Sequence, residues 1–324
     1  MKVISEKEAW NQIIYQFPFW DVAHEWGYFK AFHLRDISFE PILFYFEEND
    51  YKVAYPFFKR KLNLHGDYAD AAEEAYYLTA PYGYCGPLYN QVENEKGWEK
   101  FQKEFELFCQ ENQIQLVEEK FHPVFENEKK LLPQSDVFLR REVVVIKTDK
   151  PEELLANYQK KSVRTQIRKT MKLNVEVKIQ GEESMAAFLN LYKQTMDRNE
   201  ATDIYYFEDS FFKTLAAEFT SRFVLFNAYS EGKIIASLLY LYTPHCSYGF
   251  LGASDYNYRH LGANTYLAHE AYAYFYEQGI LYCNEGGGRT AEADDPLLFF
   301  KKNFMSKKNN DSELKKFFYG KTEC

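Results

Sequence analysis

The sequence is poor in cysteine, and its cysteines are not arranged to cross-link the chain or to bind a metal. Five cysteines are spread over 324 residues, their number is odd, and no C-x-x-C occurs. This argues against a disulfide framework or a structural zinc site and fits a reducing compartment. The start of the chain, MKVISEKEAWNQ, has no apolar signal core. We therefore expect a cytoplasmic protein.

The motifs of several enzyme classes are also missing. The seven histidines show no H-E-x-x-H or other metal-ligand spacing, and no G-x-S-x-G nucleophile elbow occurs. His269 and Glu270 are adjacent in sequence, so they would lie on different parts of a helix surface and cannot form a dyad by spacing. These absences argue against a zinc or serine hydrolase, and we expect no metal.

The chain has no excess of positive charge and no clear membrane span. It contains 39 Lys and Arg against 48 Asp and Glu, a net charge of −9, so we expect no DNA partner. Residues 234–254 contain no Asp, Glu, Lys or Arg and are long enough to cross a bilayer. This stretch also contains Thr243-Pro244 and several tyrosines. Two buried strands joined by a turn are therefore the better interpretation.

Aromatic residues are the abundant class. They make up 19% of the chain, with 29 Phe and 27 Tyr. Apolar residues at 46% and charged residues at 27% are ordinary for a globular protein and argue against a disordered one. So much tyrosine indicates half-buried clefts, where the ring is covered and the hydroxyl finds a partner. The length suggests about two domains.

The order of predicted elements indicates an α+β fold with a mixed sheet. In the second half of the chain, helices are followed by an antiparallel meander over 223–254 and then by a strand, a loop, a helix and a further strand. A doubly wound nucleotide fold would alternate strand and helix from its start. A strand at 143–146, followed by a helix start at Pro151, places the boundary between two domains near residues 140–150.

The loop 259–264, Arg-His-Leu-Gly-Ala-Asn, is the first candidate site. A strand that leads into a glycine-bearing loop and a helix N-terminus forms an anion site, because backbone N–H groups point outward and the helix dipole favours negative charge. Arg259 could add a bidentate phosphate contact. The alternative is an ordinary turn in which Asn264 or Thr265 caps the helix.

Two further segments are candidates for a site near the C-terminus. The glycines of Gly286-Gly287-Gly288-Arg289 could let the backbone approach a ligand closely, or could simply form a flexible loop. Lys301 lies among aromatic residues. Its ammonium could extend to the surface or could stabilise negative charge in a site.

A basic run stands out against the acidic composition. Lys161, Arg164, Arg168 and Lys172 would share one stripe of a helix. The stripe could face a diphosphate, an anionic lipid headgroup or RNA, or it could be a solvated helix face.

Together these segments resemble the FemAB-like group of the GNAT acyltransferase superfamily, which is found among bacterial cell-envelope and polysaccharide genes. The resemblance spans nearly the whole chain and rests on the order of its motifs, which are PYGYCGPL (81–88), FHPVFEN (121–127), YQKKSVRTQIRK (158–169), LYKQTMDRNEA (191–201), RHLGAN (259–264) and GGGR with LLFFKKNF (286–304). It implies two tandem GNAT-like modules with a cleft between them. Residues 1–141 would form a divergent N-terminal module, and 142–324 the acyltransferase module.

The resemblance also implies a donor site. GNAT proteins hold the pyrophosphate of coenzyme A with the loop [Q/R]-x-x-G-x-[G/A]. Arg259 and Gly262 match this pattern, Ala263 lies inside it, and Asn264 stands where Gly or Ala is usual. The implied co-substrate is acetyl-CoA or another acyl-CoA. Fem-type relatives use aminoacyl-tRNA instead, and their loop is also degenerate.

The catalytic and acceptor residues follow from the same resemblance. Glu285, at a position where the group often has leucine, and Asp255 are candidate bases, and Lys301 is a candidate oxyanion donor. The acceptor would contact a larger set of residues: Tyr82, Tyr84, Arg164, Arg168, Arg198, Gly287 and Arg289.

The expected function is N-acyl transfer from acyl-CoA to an amine of a small or lipid-linked cell-envelope or polysaccharide precursor. One alternative is aminoacyl-tRNA-dependent transfer to a peptidoglycan bridge, although the long helical coiled-coil arm of tRNA-using relatives has no matching heptad run here. A second is a non-catalytic protein that binds an envelope precursor on the same scaffold. A third is peripheral contact with an anionic membrane surface through the basic stripe.

Overall fold

The computed structural model describes residues 1–91, 93–131, 136–292, 294–308 and 313–323. Helices and strands are both substantial, which confirms the predicted mixed fold. The helices are α1 (Lys7–Ile14), α2 (Trp26–Arg35), α3 (Glu95–Glu111), α4 (Pro151–Asn157), α5 (Lys161–Thr170), α6 (Met185–Arg198), α7 (Asp209–Phe219), α8 (Ala263–Glu277) and α9 (Pro296–Lys302). The strands are β1 (Lys2–Ile4), β2 (Glu40–Glu48), β3 (Tyr51–Lys61), β4 (Tyr76–Thr79), β5 (Leu88–Tyr89), β6 (Ile114–Lys120), β7 (Asp136–Lys147), β8 (Glu176–Gln180), β9 (Phe223–Ser230), β10 (Lys233–Tyr242), β11 (Ser247–Ser254), β12 (Tyr282–Gly286) and β13 (Leu314–Glu323).

The chain divides into two compact units. The first comprises Met1–Arg141 and Lys316–Cys324, and the second comprises Glu142–Lys315. The division expected from the sequence assigned everything after residue 141 to the second module. In the structure the last segment returns to the first unit, because β13 pairs antiparallel with β6.

The second unit is built on a sheet with the strand order β7-β12-β11-β10-β9-β8. Its neighbours are antiparallel except for β11 and β12, which run parallel and are joined through α8. The hairpin between β9 and β10 turns at Glu231 and Gly232, whose φ angles are 52° and 77°. Two consecutive positive φ values suit a tight hairpin turn.

Helix α8 covers one face of this sheet because its apolar residues recur at helical spacing. Leu267, Ala271 and Phe275 are four residues apart and fully buried in the core of the second unit. The helix stops before Gly279, which has φ 74°. The backbone N–H of Ile280 then donates to the carbonyl of Phe275, which closes the helix end.

The first unit has a sheet with the order β1-β2-β3-β4-β6-β13, and β5 pairs with β3. Strands β4 and β6 are parallel and are joined by α3, whose Trp98 and Phe101 are buried against the sheet. The predicted hairpin between β2 and β3 turns at Asn49 and Asp50, both with positive φ. Each unit therefore contains a hairpin followed by a strand, a helix and a parallel strand.

The charge-free stretch 234–254 forms parts of β10 and β11, which confirms its interpretation as two strands joined by a turn. Thr243 orders that turn, because its hydroxyl accepts from the backbone N–H groups of His245 and Cys246. Among the residues that the structure describes, no helix has the length and apolar character needed to cross a membrane.

A buried carboxyl group lies in the first unit. Glu119 of β6 is 4% exposed, the Tyr55 hydroxyl donates to its Oε1, and its Oε2 has no hydrogen-bond partner among the described residues. Burial raises the pKa of Glu119 to about 7, against the smaller opposing effect of the Tyr55 hydrogen bond. The folded protein therefore holds this side chain in its neutral form in acidic solution.

We expect the stability of the protein to fall as the pH rises from about 5 to 9. With a folded-state pKa near 7 and an ordinary value of 4.5, the folded state binds more protons over this interval, and stability is lost as the proton leaves. A tenfold change in proton affinity corresponds to about 1.4 kcal/mol, so the loss from this group is on the order of 3 kcal/mol. Urea unfolding at several pH values measures it.

The matched variants are Glu119→Gln, which cannot ionise, and Glu106→Gln, which changes an exposed glutamate of α3. Relative to the wild type, Glu119→Gln should gain stability as the pH rises, whatever its stability at pH 5. Glu106→Gln should follow the wild type. Parallel pH curves for the wild type and Glu119→Gln would contradict the assignment.

Candidate active site

The parallel strands β11 and β12 are paired over only a short distance. Their register pairs Ser247 with Cys283 and Tyr248 with Asn284, whereas β11 continues to Ser254. The next residues along the two strands are Gly249 and Glu285. A Cβ atom on Gly249 would lie 3.1 Å from Oε2 of Glu285, so the glycine lets the carboxyl group lie against β11.

Irregularities in the sheet flank this point on both sides. The pairing of β12 with β7 shifts between Asn284 and Gly286, which leaves Glu285 as the extra residue of a β-bulge. The pairing of β10 with β11 shifts between Leu239 and Tyr240, at the level of Gly249. Bulges redirect side chains, and here they turn Glu285 and Tyr240 toward each other.

The carboxyl group of Glu285 is half-buried and is held by two tyrosines. The Tyr240 hydroxyl donates to its Oε1 at 2.7 Å, and the Tyr272 hydroxyl of α8 lies close enough to lower the pKa of the carboxyl group. Burial raises the pKa of Glu285, and the Lys301 ammonium and the two hydroxyl groups oppose this effect. A carboxyl group with a raised pKa is suited to accept a proton near neutral pH.

Lys301 lies beside this carboxyl group. Its ammonium donates to the carbonyl of Gly287 at 2.7 Å, and its charge acts on Glu285. The side chain is half-buried, so it does not simply extend into solvent. The structure thus brings together Glu285 and Lys301, two of the three catalytic candidates from the sequence.

The third candidate, Asp255, has a different environment. Its carboxylate forms an ion pair with Lys233 at 2.7 Å. It also accepts from the backbone N–H of Asn257 and so caps the short 3₁₀ helix Tyr256–Leu261. The Lys233 hydrogen bond is the largest cause of a lowered pKa at Asp255. A lowered pKa makes a carboxylate a weaker base, and these contacts account for the residue as a helix cap.

The glycine-rich segment 286–289 wraps around a carboxylate of the protein itself. The backbone N–H groups of Arg289 and Thr290 each donate to Oδ2 of Asp295 at 2.9 Å, and a Cβ atom on Gly288 would collide with the Asp295 side chain. Asp295 also caps α9 by accepting from the backbone of Leu297. The glycines therefore allow a close approach to Asp295, and the sequence pattern did not reveal this partner.

The loop before α8 is fixed by α5. Thr170 donates to the carbonyl of Leu261 at 2.7 Å, and Gln166 donates to the same oxygen at 3.4 Å. Gly262 has φ 70°, and a Cβ atom on it would collide with the Gln166 side chain. Only glycine combines this backbone conformation with so close a neighbour.

The N-terminus of α8 is a positively polarised end at which Asn264 is exposed and Gly262 is half-buried. The helix begins at Ala263 with Gly262 as its N-cap and without a side-chain cap, so the alternative in which Asn264 or Thr265 caps it is wrong. The first-turn N–H groups of a helix have no intrahelical acceptor, and the dipole favours an anion there. Arg259 is exposed, stacks 4.0 Å over the Tyr256 ring and donates to the Tyr256 carbonyl.

The predicted acceptor residues of the second unit differ in exposure. Arg168 is exposed, as are Lys161 and Lys172 of the same stripe. Arg164 donates to the Tyr158 carbonyl and is half-buried, and Arg198 donates to the Ser254 carbonyl at 3.1 Å. Arg164 and Arg198 therefore also stabilise the ends of α4 and β11.

Tyr82 and Tyr84 lie in the first unit. Tyr84 is buried with its ring 4.5 Å from that of Phe317, in an edge contact. Tyr82 is half-buried, its ring stacks on Phe32, and its carbonyl accepts from Tyr28. Their predicted contact with an acceptor stays a prediction, as does the cleft between modules.

Comparison with known proteins agrees with this architecture. Residues 158–294 match the family model described as Acetyltransferase (GNAT) domain. No curated protein matches the chain. The crystal structure of FemX has a TM-score of 0.73 at 12% identity and covers 100% of this chain and 98% of its own.

Two lipid-related proteins have similar folds. The C-terminal domain of a putative lysylphosphatidylglycerol synthetase from Agrobacterium fabrum has a TM-score of 0.57 at 11% identity, covering 97% of this chain and 90% of its own. L-PGS from Bacillus licheniformis has a TM-score of 0.55 at 10% identity, covering 98% and 92%. These likenesses concern the fold. The fold therefore resembles that of Fem-type proteins, as predicted, and the match to the GNAT domain model lies in the second unit.

We expect Gly262→Ala to destabilise the protein more than Gly232→Ala. Both glycines have positive φ, at 70° and 77°, so both variants carry a backbone cost of about 1–2 kcal/mol. A Cβ atom on Gly232 meets nothing within 4 Å, whereas one on Gly262 collides with Gln166. Thermal unfolding measures the difference. Gln166→Ala combined with Gly262→Ala should recover part of the loss, and equal effects of the two single variants would contradict the close packing.

Proposed function

We propose that the protein is an N-acyltransferase that moves an acyl group from acyl-CoA to an amine of a cell-envelope or polysaccharide precursor. The observation that carries the proposal is the carboxyl group of Glu285, placed on a β-bulge where β11 and β12 part and held by Tyr240 and Tyr272. The GNAT domain match over 158–294 supports acyl transfer as the reaction class.

The acyl donor is proposed to bind at the start of α8. The loop from Arg259 to Asn264 presents a positive helix end, an exposed guanidinium and a glycine with positive φ. These features suit the diphosphate of acetyl-CoA or another acyl-CoA. Such donors are made in the cytoplasm, where we propose that the protein acts.

The proposed reaction is direct attack by the acceptor amine on the thioester carbonyl. The ammonium form of the acceptor gives a proton to Glu285, the free amine forms the C–N bond, and the C–S bond breaks with departure of the thiolate. The proton that the nitrogen loses on acylation passes to the thiolate through solvent. Lys301 supplies positive charge near the negative charge that develops on the carbonyl oxygen.

Binding both substrates side by side supplies much of the rate enhancement. Well-oriented reactants gain on the order of 7–11 kcal/mol, and one oxyanion donor adds roughly 3 kcal/mol. With these two contributions to the rate, the reaction needs a base of only modest strength. Glu285 meets that need because it is half-buried and hydrogen-bonded.

The acceptor is proposed to carry phosphate or carboxylate groups. The exposed cations of α5 are the residues suited to bind them, and Arg198, Gly287 and Arg289 extend this set toward β11 and β12. Tyr82 and Tyr84 are proposed to contribute from the first unit. A lipid-linked precursor would combine such charges with a membrane anchor.

A second candidate donor is aminoacyl-tRNA, used for transfer to a peptidoglycan bridge. The likeness to FemX and the run of cations from Lys160 to Lys172, which contains no acidic residue, favour it. A third candidate is a non-catalytic protein that binds an envelope precursor. Turnover of an acyl donor by the purified protein separates that candidate from both enzymes.

Glu285→Gln should lower the rate of acyl transfer by about 10²- to 10⁴-fold, because the amide cannot accept the proton. The assay follows thiol release from acetyl-CoA with a panel of amino sugars and amino acids as acceptors. Donor binding should stay unchanged, since the side chain is not part of the loop that binds the carrier. Full activity of Glu285→Gln would remove Glu285 from the mechanism.

Acetyl-CoA should bind saturably in calorimetry, and Arg259→Ala should weaken binding at least tenfold, as expected for a lost charge-assisted hydrogen bond. Lys213→Ala, which removes an exposed charge from α7, is the matched control and should bind like the wild type. If no acyl-CoA binds to the wild type, the coenzyme A donor is rejected and aminoacyl-tRNA becomes the leading candidate.

The basic stripe consists of Lys161, Arg164 and Arg168 of α5 together with Lys172, which follows the helix. We propose that this stripe also contacts an anionic membrane surface. Wild-type protein should then sediment with phosphatidylglycerol vesicles at low salt and be released as the salt concentration rises. The triple variant Lys161→Glu, Arg168→Glu, Lys172→Glu should stay in solution, and Lys213→Glu should behave like the wild type. No sedimentation of the wild type at low salt would reject the contact.

A further inference from the structure

We propose that Tyr240 and Tyr272 are positioning residues that hold the carboxyl group of Glu285 in the place from which it accepts the acceptor's proton. The inference rests on the proposed function, because it assigns a role relative to Glu285 as the base. Neither tyrosine was singled out from the sequence, where both lie in apolar stretches with many other tyrosines.

Tyr240, Gly249 and Glu285 lie side by side on three adjacent strands. Tyr240 on β10 lies opposite Gly249 on β11, and its hydroxyl reaches past that glycine to Oε1 of Glu285 on β12, at 2.7 Å. A Cβ atom on Gly249 would lie 3.3 Å from the Tyr240 ring and 3.1 Å from Glu285 Oε2. The missing side chain is therefore what lets the hydroxyl and the carboxyl group meet.

Tyr272 approaches Glu285 from helix α8. Tyr272 is 1% exposed, its ring packs edge-on against Phe304, and its hydroxyl lies close enough to Glu285 to lower the pKa of that carboxyl group. Tyr272 belongs to α8, the helix that begins at Gly262 in the proposed donor loop. The same rigid element would therefore orient both the acyl donor and the base, as a precise site requires.

The two tyrosines leave part of the carboxylate available. A carboxylate offers about four acceptor positions, and two hydroxyl donors occupy two of them. The remaining positions can receive the proton of an ammonium. Burial raises the pKa of both tyrosines, so each remains a hydrogen-bond donor throughout the working pH range.

Glu285 also interacts electrostatically with groups on neighbouring elements. Among the described residues these include Cys283 on the same strand, Lys301 on α9 and Tyr158 directly after α4. The Tyr158 hydroxyl pairs with Nδ1 of His269 at 2.9 Å, in the same buried cluster. Tyr158→Phe therefore removes a comparable buried hydroxyl without removing a hydrogen bond to Glu285.

The test compares Tyr240→Phe, Tyr272→Phe and Tyr158→Phe. Hydrogen bonds from both tyrosines lower the pKa of Glu285, so their loss should raise it and move the acidic limb of the kcat/KM profile to higher pH. We expect the rate of thiol release from acetyl-CoA to fall about tenfold below pH 6, with a smaller effect at pH 9. The KM for acetyl-CoA and the profile of Tyr158→Phe should match the wild type.

A direct titration gives a readout that needs no turnover. Carbon NMR of ¹³C-labelled glutamate carboxyl groups, with Glu285→Gln to assign the signal, should show the Glu285 titration at higher pH in both positioning variants. Gly249→Ala should have the same effect, because its Cβ presses on the Tyr240–Glu285 pair. Gly252→Ala, where a Cβ would meet only the end of Leu238, is its control.

The outcomes separate this inference from the function on which it rests. If Glu285→Gln is inactive but Tyr240→Phe and Tyr272→Phe keep the wild-type profile and titration, only the positioning role is overturned. If Glu285→Gln is fully active, Glu285 is not the base and the inference fails, although acyl transfer itself stands. If the wild type releases no thiol from any acyl-CoA, the proposed function fails and the inference fails with it. A shifted profile and titration in both tyrosine variants, with Tyr158→Phe unchanged, supports both.

Discussion

The structure of the second unit depends on the placement of one carboxyl group between two parallel strands that stop pairing. Burial of a carboxylate is costly unless donors surround it, so Glu285 requires hydroxyl groups, a nearby ammonium and space for its oxygens. Tyr240 and Tyr272 supply the hydroxyl groups, Lys301 supplies the charge, and Gly249 leaves the space. The bulges of the sheet follow from the same requirement, because a regular ladder would not aim these side chains at one point.

A second constraint ties the donor loop to the body of the unit. The carbonyl of Leu261 is held by Thr170 and Gln166, and Gly262 takes a conformation that other residues rarely adopt. The chain then enters α8 with its first amides free of intrahelical partners. Because α8 also carries Tyr272, the proposed anion-binding end of the helix and the tyrosine that acts on Glu285 belong to one rigid element.

The sequence predicted the elements whose pattern is local. The antiparallel meander over 223–254 and the loop, helix and strand that follow it all correspond to the structure. The strand β8 was not expected, because E-V-K-I-Q carries charges and its stability comes from pairing with β9 at the edge of the sheet. The pairing of β13 with β6 is a contact between distant parts of the sequence, and no local signal encodes it.

The candidate site was likewise predicted only in part, because some of its contacts join distant parts of the sequence. The residue pattern identified Lys301 and the loop 259–264, which forms a helix N-terminus, and the resemblance added Glu285, which lies beside Lys301. The tyrosines that hold Glu285 come from β10 and α8, so their proximity to it depends on the register of the sheet and on helix packing. The glycine segment 286–289 indicated a close approach of the backbone to a ligand, but Asp295 of the same chain accepts its N–H groups.

The most direct measurement is a crystal structure of the protein bound to acetyl-CoA. The account predicts the diphosphate on the N–H groups that begin α8, and the thioester carbonyl between β11 and β12. Glu285 should then lie within hydrogen-bond reach, directly or through one water, of an amine placed to attack that carbonyl. A thioester bound elsewhere, with the space beside Gly249 and Glu285 closed, would contradict the account.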